Sequence, residues 1–198
     1  IASSVAVETY IRTLSDSDHP DQAVRAAVMA ANSAIRQRAA GHPELRSMGT
    51  TLVSALVKGD RVLISNVGDS RAYLAGAQGL RQISRDHSLV EDMVEKGDLT
   101  PGEARSHPRR NLITRALGPD PAVEADDFAI QWKAGDFLLL CSDGLTNAVP
   151  RPQLEQLLRT GSFYDLPDLL IRAANENGGK DNITALLLGV EPLEVHHG

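Results

Sequence analysis

An unbroken apolar run that stops at an aspartate constrains the fold most strongly. The segment LLLCSDGLTN occupies residues 138–147. Short apolar runs bounded by turn residues are typical of strands buried on both faces, so we predict such a strand over 137–141. Asp143 and Gly144 follow and place a carboxylate at the end of this strand. A lone Asp-Gly pair more often forms a turn or a helix N-cap, so its meaning depends on which other carboxylates accompany it.

Two further aspartates occupy related positions. Asp69 follows Gly68 in a break within a predicted strand, and Asp181 lies in the turn that opens the last one. Adjacent strands of one sheet would bring such positions together. Clustered carboxylates repel one another unless a cation neutralises them, and oxygen-only ligands select Mg²⁺ or Mn²⁺. Two interpretations stay open at this point, a metal site and three unrelated turn or capping residues.

Neighbouring residues suit a supporting role. Gly144 and the glycines at 178–179 would let the backbone approach an ion closely. Asn182 is placed to orient the carboxylate that precedes it. Ser142 belongs to the same predicted supporting set.

The N-terminal part of the chain is predicted to form two helices. Val7, Ile11 and Leu14 recur at helical spacing and indicate an apolar face on a first helix. Asp18 is the expected cap of a second helix, which ends near Gly41. The apolar positions of the second helix also keep helical spacing: Val24, Val28, Ala31 and Ile35.

Strands follow these two helices, and further helices come before the last strand. Residues 51–57 and the segment from 61 onward form a predicted hairpin, with a bulge at Gly68. Helices are predicted near 152–159 and 165–176, before a final strand. This order of elements predicts an α+β sandwich.

Residues 86–111 form a polar stretch with few core residues. A short helix is predicted over 88–96, and the sequence TPGE at 100–103 is a capping signature for another. We interpret the stretch as a mobile surface excursion.

Composition excludes several classes of protein. The chain has 198 residues, 42% of them hydrophobic, which fits one globular domain with a sizeable core. Its net charge of -6 argues against a nucleic-acid-binding face. Cys141 is the single cysteine, so a reducing, cytoplasmic compartment is expected. No window of the sequence approaches the roughly 18 apolar residues of a membrane span.

Six motifs occur in an order that resembles one protein family. They are MGTTL (48–52), NVGDSRAY (66–73), DHSLV (86–90), LITRALG (112–118), LLLCSDGL (138–145) and GGKDNIT (178–184). Together they are similar to the successive motifs of the metal-dependent protein phosphatases (PPM, type 2C serine/threonine phosphatases), in their compact bacterial form. The resemblance implies a four-layer α-β-β-α sandwich of two mostly antiparallel sheets flanked by helices. It also implies a catalytic domain over 1–191 with a flap at 89–110, followed by a tail at 192–198.

The resemblance assigns roles to particular positions. Asp143 and Asp181 resemble the ligands of a dinuclear Mn²⁺ or Mg²⁺ centre. Asp69 resembles a residue that holds a third, weaker ion together with Asp143. The flap carries a basic set that either steers phosphate groups or forms a solvated patch: His107, Arg109 and Arg110.

The implied activity is hydrolysis of phosphoserine and phosphothreonine in proteins by a metal-activated water. Phosphoprotein targets of a serine/threonine kinase would be the substrates, and the chain is expected to act as a monomer. The family's first aspartate block and a phosphate-binding arginine precede the helix that IASSVAVETY resembles. A segment upstream of Ile1 is therefore expected.

Three alternatives compete with this interpretation. A catalytically inactive binding module would keep the fold without the metals, although the three retained aspartates argue against it. A GDS-type esterase would use Ser70 as its nucleophile, and only Glu194 and His197 imitate its late acid–base pair. A cysteine phosphatase would use Cys141, which instead lies in a predicted core strand.

Overall fold

The strands of the chain form two antiparallel sheets, accompanied by helices. The computed structural model describes residues 1–14 and 19–190. In this part of the chain the helices are α1 (Ala2–Thr13), α2 (Pro20–Ala39), α3 (Leu89–Glu95), α4 (Pro101–Ser106), α5 (Asp143–Ala148), α6 (Arg151–Thr160) and α7 (Leu166–Glu176). The strands are β1 (Leu52–Lys58), β2 (Arg61–Val67), β3 (Arg71–Gly76), β4 (Gly79–Gln82), β5 (Asp126–Gln131), β6 (Phe137–Cys141) and β7 (Ala185–Gly189). The sheet orders are β1-β2-β5 and β4-β3-β6-β7, which confirms the predicted α+β class.

Helix α2 follows its predicted pattern, whereas α1 buries a different face. Pro20 begins α2, and the four apolar positions predicted for that helix are all buried. In α1, Val7 and Ile11 are 50% and 66% exposed, so of the three residues predicted to form its apolar face only Leu14 packs against the core. The buried face of α1 consists mainly of small residues: Ala2, Ala6, Thr9 and Tyr10. The expected cap at Asp18 lies outside the described residues.

The chain changes sheets at Gly68, so the predicted bulge within one strand is wrong. Strand β2 ends at Val67 in the three-stranded sheet, and β3 begins at Arg71 in the four-stranded sheet. Gly68 has a φ of 104°, a conformation that favours glycine. Strand β5 has no counterpart among the predicted strands, because its sequence DDFAIQ begins with two charges.

Strand β6 lies inside the four-stranded sheet. It pairs antiparallel with β3 and β7, so that Cys141 lies opposite Arg71 and Ala185. Residues 138–141 are buried, as predicted for a run of this kind. Leucines of α5, α6 and α7 form the core beside it: Leu145, Leu154, Leu158, Leu166 and Leu170. Helices α6 and α7 match their predicted positions, and α5 begins at Asp143, where the sequence left a helix start or a turn open.

The chain divides into two compact units, each with its own apolar core. The first contains Ile1–Leu56, Leu63–Ser70 and Ser84–Phe128, and the second contains Val57–Val62, Arg71–Ile83 and the described part of Ala129–Gly198. Among the helices that the structure describes, none is long and apolar enough to cross a membrane. The predicted domain boundary at 191 stays a prediction, and the tail at 192–198 lies outside the described residues.

Candidate metal centre and flap

Ser142 joins the end of β6 to the segment that leads into β7. Its backbone N–H donates to the carbonyl of Thr184 at 3.1 Å. Its hydroxyl donates to the carbonyl of Asn182 at 3.1 Å and accepts from the N–H of Thr184 at 3.0 Å. Ser142 is the N-cap residue of α5, yet its side chain makes no capping bond. The hydroxyl therefore holds two chain segments together instead of capping the helix.

Gly144 brings the same two segments into close contact. It is buried, and a β-carbon added to it would lie 2.3 Å from the carbonyl oxygen of Asn182. No side chain fits at that separation, so the first turn of α5 and the backbone at Asn182 touch directly. Asp143 follows β6 and Asp181 precedes β7 in the second unit, and the pairing of Cys141 with Ala185 puts these two segments at the same end of the sheet.

Each of these two carboxylates has a defined hydrogen bond. Asp143 is half-buried in the first turn of α5, and its Oδ2 accepts from Nδ2 of Asn147 at 3.1 Å. Asp181 is exposed, and its Oδ1 accepts from the backbone N–H of Asn182 at 2.7 Å. Asn182 thus contacts Asp181 through its backbone amide. Asn147 is missed by sequence reasoning, although its position four residues after Asp143 on a helix was available as a signal.

The donor set beside these strand ends suits a hard divalent cation. Asp143 and Asp181 offer carboxylate oxygens, and the close approach at Gly144 leaves no side chain between the two segments. Oxygen donors of this kind favour Mg²⁺ or Mn²⁺. Within residues 1–14 and 19–190, no three His, Cys, Asp or Glu side chains gather in a metal-holding arrangement. The two carboxylates therefore fit part of a metal site, and their role as ligands stays a prediction.

Asp69 lies in the turn between β2 and β3, in the first unit. It is half-buried, whereas the flanking Gly68 and Ser70 are buried. A β-carbon at Gly68 would lie 2.3 Å from Cγ2 of Thr51. The Ser70 hydroxyl is 2.8 Å from the Thr51 hydroxyl and is 7% exposed. A buried hydroxyl bonded to a threonine is poorly suited to act as the nucleophile of a GDS-type esterase, and Glu194 and His197 lie outside the described residues.

A buried histidine contacts the same turn and was missed by sequence reasoning. His87 accepts a hydrogen bond from the Gly68 N–H through Nδ1, at 3.1 Å. Its Nε2 lies 3.1 Å from Oδ2 of Asp126, whose Oδ1 accepts from Arg115 at 2.7 Å. Partial burial alone would raise the pKa of Asp126, but the hydrogen bonds from Arg115 and His87 outweigh it and hold that pKa below its ordinary value. In the sequence, only the DHSLV motif at 86–90 drew attention to His87.

Residues 89–110, the predicted flap, contain α3 and α4, and neither helix has a buried residue. Their role as a flap stays a prediction. Ser88 caps α3 by accepting from the N–H of Glu91 at 3.3 Å. Thr100 and Glu103 form the predicted capping box on α4, and these bonds hold the pKa of Glu103 below its ordinary value. At the base of the flap, Arg85 pairs with Glu95, with Nη1 at 3.0 Å from Oε1. Arg85 Nη2 also lies 4.0 Å from Oδ1 of Asp92. Local caps and these two ion pairs therefore shape a segment whose helices contribute no buried residue to the core.

The predicted basic set lies just after α4. His107 is half-buried and its Nδ1 accepts from the N–H of Arg109 at 3.2 Å. Arg109 and Arg110 are exposed. The histidine thus shapes the turn, and the two guanidinium groups face solvent.

Cys141 lies at the end of β6 and is 2% exposed. It belongs to the apolar core of the second unit. This placement supports a packing role rather than that of an accessible nucleophile.

Comparison with known proteins identifies the family. The sequence profile of the family described as Protein phosphatase 2C matches residues 1–187. The serine/threonine phosphatase stp of Listeria monocytogenes is 40% identical over 198 aligned residues, covering 94% of this chain and 79% of that protein.

Solved structures agree in fold. The phosphatase Stp1 of Staphylococcus aureus matches with a TM-score of 0.89 and 37% identity, covering 96% of this chain and 77% of that one. The catalytic domain of the phosphatase PstP, solved with two manganese ions, matches with a TM-score of 0.86 and 35% identity, covering 96% and 81%.

The fold and these relatives define a serine/threonine protein phosphatase. The chain belongs to the protein phosphatase 2C family, which confirms the resemblance noted from its motifs.

Proposed function

We propose that the chain removes phosphate from phosphoserine and phosphothreonine in proteins, with Asp143 and Asp181 holding two core Mn²⁺ or Mg²⁺ ions. Asp69 is proposed as a ligand of a third, weaker ion. Such ions, when bound, acidify a water molecule to make it nucleophilic and offset charge on the phosphoryl group. The manganese ions in the PstP structure support metal use in this family.

The observation that carries the proposal is the junction between β6 and β7. Ser142 and Gly144 fix the backbone on both sides of Asp143, and Ser142 also binds the backbone at 182 and 184. Two carboxylates at one sheet end repel each other unless a cation lies beside them. The chain's own contribution is therefore to orient these oxygens and to keep the segments in register before an ion arrives.

The Asp143 carboxylate receives further support from its position on α5. The hydrogen bond from Asn147 at 3.1 Å orients Oδ2. This bond restrains the Asp143 side chain, which helps to orient a metal ligand.

The test is hydrolysis of a phosphothreonine peptide in Mn²⁺ and then in excess chelator. We expect turnover only with metal, and loss of turnover in Asp143→Asn and Asp181→Asn, which keep side-chain size. Asp165→Asn is the matched control, because Asp165 is exposed on the same unit and makes no capping bond. Metal-independent turnover, or full activity in Asp143→Asn, would contradict the proposal.

A binding module that keeps the fold without catalysis is the second candidate. It predicts phosphopeptide binding without phosphate release at saturating Mn²⁺. The closely fitted strand ends at Gly144 favour catalysis, since binding alone does not require two carboxylates at this junction.

Substrate and setting complete the proposal. Phosphoprotein targets of a serine/threonine kinase are the proposed substrates, and His107, Arg109 and Arg110 of the flap are proposed to steer phosphate groups. A reducing cytoplasmic compartment is proposed because it would keep the buried Cys141 as a thiol.

A further inference from the structure

We propose that His87 is a positioning residue: its ring holds the backbone of the Gly68–Ser70 turn in the conformation that presents Asp69. The proposal rests on the proposed function, because it gives Asp69 a role as a ligand. It concerns residues of the first unit only.

The turn and His87 are joined by a reciprocal pair of hydrogen bonds. The Gly68 N–H donates to His87 Nδ1 at 3.1 Å, and the His87 N–H donates to the Gly68 carbonyl at 2.9 Å. Both backbone polar groups of Gly68 are therefore satisfied by one residue 19 positions later in the sequence. Because Gly68 is buried, losing the bond to Nδ1 would leave its N–H without water to replace it.

The ring itself is fixed from its other side. Because Nδ1 accepts from Gly68, the ring proton is assigned to Nε2, which lies 3.1 Å from both Oδ2 of Asp126 and Nη1 of Arg115. Arg115 holds the other oxygen of Asp126 and also donates to the Glu124 carbonyl at 2.9 Å. The Thr114 N–H donates to the His87 carbonyl at 2.9 Å. Ring orientation and backbone position of His87 are thus both determined by neighbours.

Other contacts restrict the same turn. The Asn66 side-chain amide donates to the Gly68 carbonyl at 3.0 Å and to the Arg85 carbonyl at 2.9 Å. These two acceptors fix the amide orientation, which leaves the buried Oδ1 of Asn66 without a partner in the described residues. Thr51 contacts Ser70 and blocks any side chain at Gly68. These contacts restrict the conformations that the turn can adopt.

Metal ligands need this kind of support. Residues that orient a ligand from behind change metal affinity or activity by about 10- to 100-fold when they are replaced. His87 supports Asp69 through the backbone rather than through the carboxylate. Its loss would let the turn relax and move Asp69 away from its ligand position.

Two replacements of His87 test the contacts of its two ring nitrogens one at a time. His87→Asn places an oxygen near the position of Nδ1 and can still accept from Gly68. His87→Gln places its amide nearer to Nε2 and Asp126. His87→Ala removes both contacts. His42→Asn is the matched control, because His42 lies in the same unit with its side chain 55% exposed.

The readouts are hydrogen exchange of the Gly68 amide and a calorimetric Mn²⁺ titration of each folded variant. We expect His87→Ala and His87→Gln to speed Gly68 exchange and to weaken the lower-affinity Mn²⁺ step by about 10- to 100-fold. The higher-affinity step should be unchanged, and His87→Asn and His42→Asn should resemble the parent protein.

Three results would overturn the proposal. One is a Gly68 exchange rate in His87→Ala equal to that of the parent protein. A second is faster Gly68 exchange with Mn²⁺ binding unchanged. The third is a loss of folding in His87→Asn as complete as in His87→Ala, which would mean that the ring acts by packing. Failure of the proposed function would appear instead as absent turnover in the parent protein at saturating Mn²⁺, with the Gly68 exchange pattern intact.

Discussion

A β-carbon at Gly144 would lie 2.3 Å from the carbonyl oxygen of Asn182, so the start of α5 and the segment before β7 touch through their backbones. This contact fixes how closely the strand ends carrying Asp143 and Asp181 approach. The arrangement of the proposed metal site therefore depends on a position that has no side chain.

Gly144→Ala should separate these segments. Overpacking of a buried contact destabilises a protein by about 1–3 kcal/mol, and the shift should reduce Mn²⁺-dependent turnover as well. Thermal unfolding and phosphopeptide hydrolysis measure the two effects. Gly102→Ala is the control, because a β-carbon there meets only the Thr100 hydroxyl at 3.9 Å. Equal melting temperatures and equal Mn²⁺-dependent turnover in the two variants would contradict the account.

Ser142→Ala should loosen the same junction without adding bulk. It removes the hydroxyl bonds to Asn182 and Thr184, each worth about 0.5–1.5 kcal/mol. We expect a lower melting temperature and weaker Mn²⁺ binding, measured by calorimetry. Unchanged Mn²⁺ affinity in a destabilised variant would show that the serine stabilises the sheet but not the site.

Asp126 should make the first unit sensitive to acid. Its pKa lies below the ordinary value of 3.8 in the folded chain, so the unfolded chain binds its proton more readily. The stability that it contributes is complete above about pH 4 and is lost as the pH falls through the folded-state pKa. Melting curves of the parent protein and Asp126→Asn should therefore differ near neutral pH and converge in acid. A difference that stays constant down to the lowest accessible pH would contradict this assignment.

Arg109→Gln combined with Arg110→Gln should weaken substrate capture. Exposed charge pairs contribute about 0.2–1 kcal/mol each, so with two arginines replaced we expect KM for an acidic phosphopeptide to rise about 2- to 30-fold while kcat stays constant. High salt should remove the difference, because it screens exposed charges. Arg172→Gln, an exposed arginine on α7, is the control. A matching KM increase in the control would indicate a general charge effect.

Local signals explain which elements could be predicted. An apolar run marks strand β6, and helical spacing of apolar residues marks helix α2. The interval from Thr100 to Glu103 marks the cap of α4. The buried face of α1 could not be predicted from large apolar residues, because small side chains pack it against α2. Strand β5 begins with two aspartates, and one of them, Asp126, belongs to the His87 network.

Some residues of the site could likewise be predicted from the sequence, and others could not. Asp143 and Asp181 stand at strand ends that the sequence marks clearly, and the pairing of β6 with β7 brings those ends together. His87 and Ser142 act through bonds to distant backbone groups, at Gly68 and at Asn182. Such bonds depend on tertiary placement, which no local spacing encodes.

The most direct test of the central claim is a calorimetric Mn²⁺ titration of the parent protein, Asp143→Asn, Asp181→Asn and the control Asp165→Asn, with folding checked by circular dichroism. The account predicts folded proteins throughout, with Mn²⁺ affinity reduced about 10-fold or more in the first two variants and unchanged in the control. Parent-like Mn²⁺ binding in both Asp143→Asn and Asp181→Asn would contradict the claim that these strand-end carboxylates hold the metal.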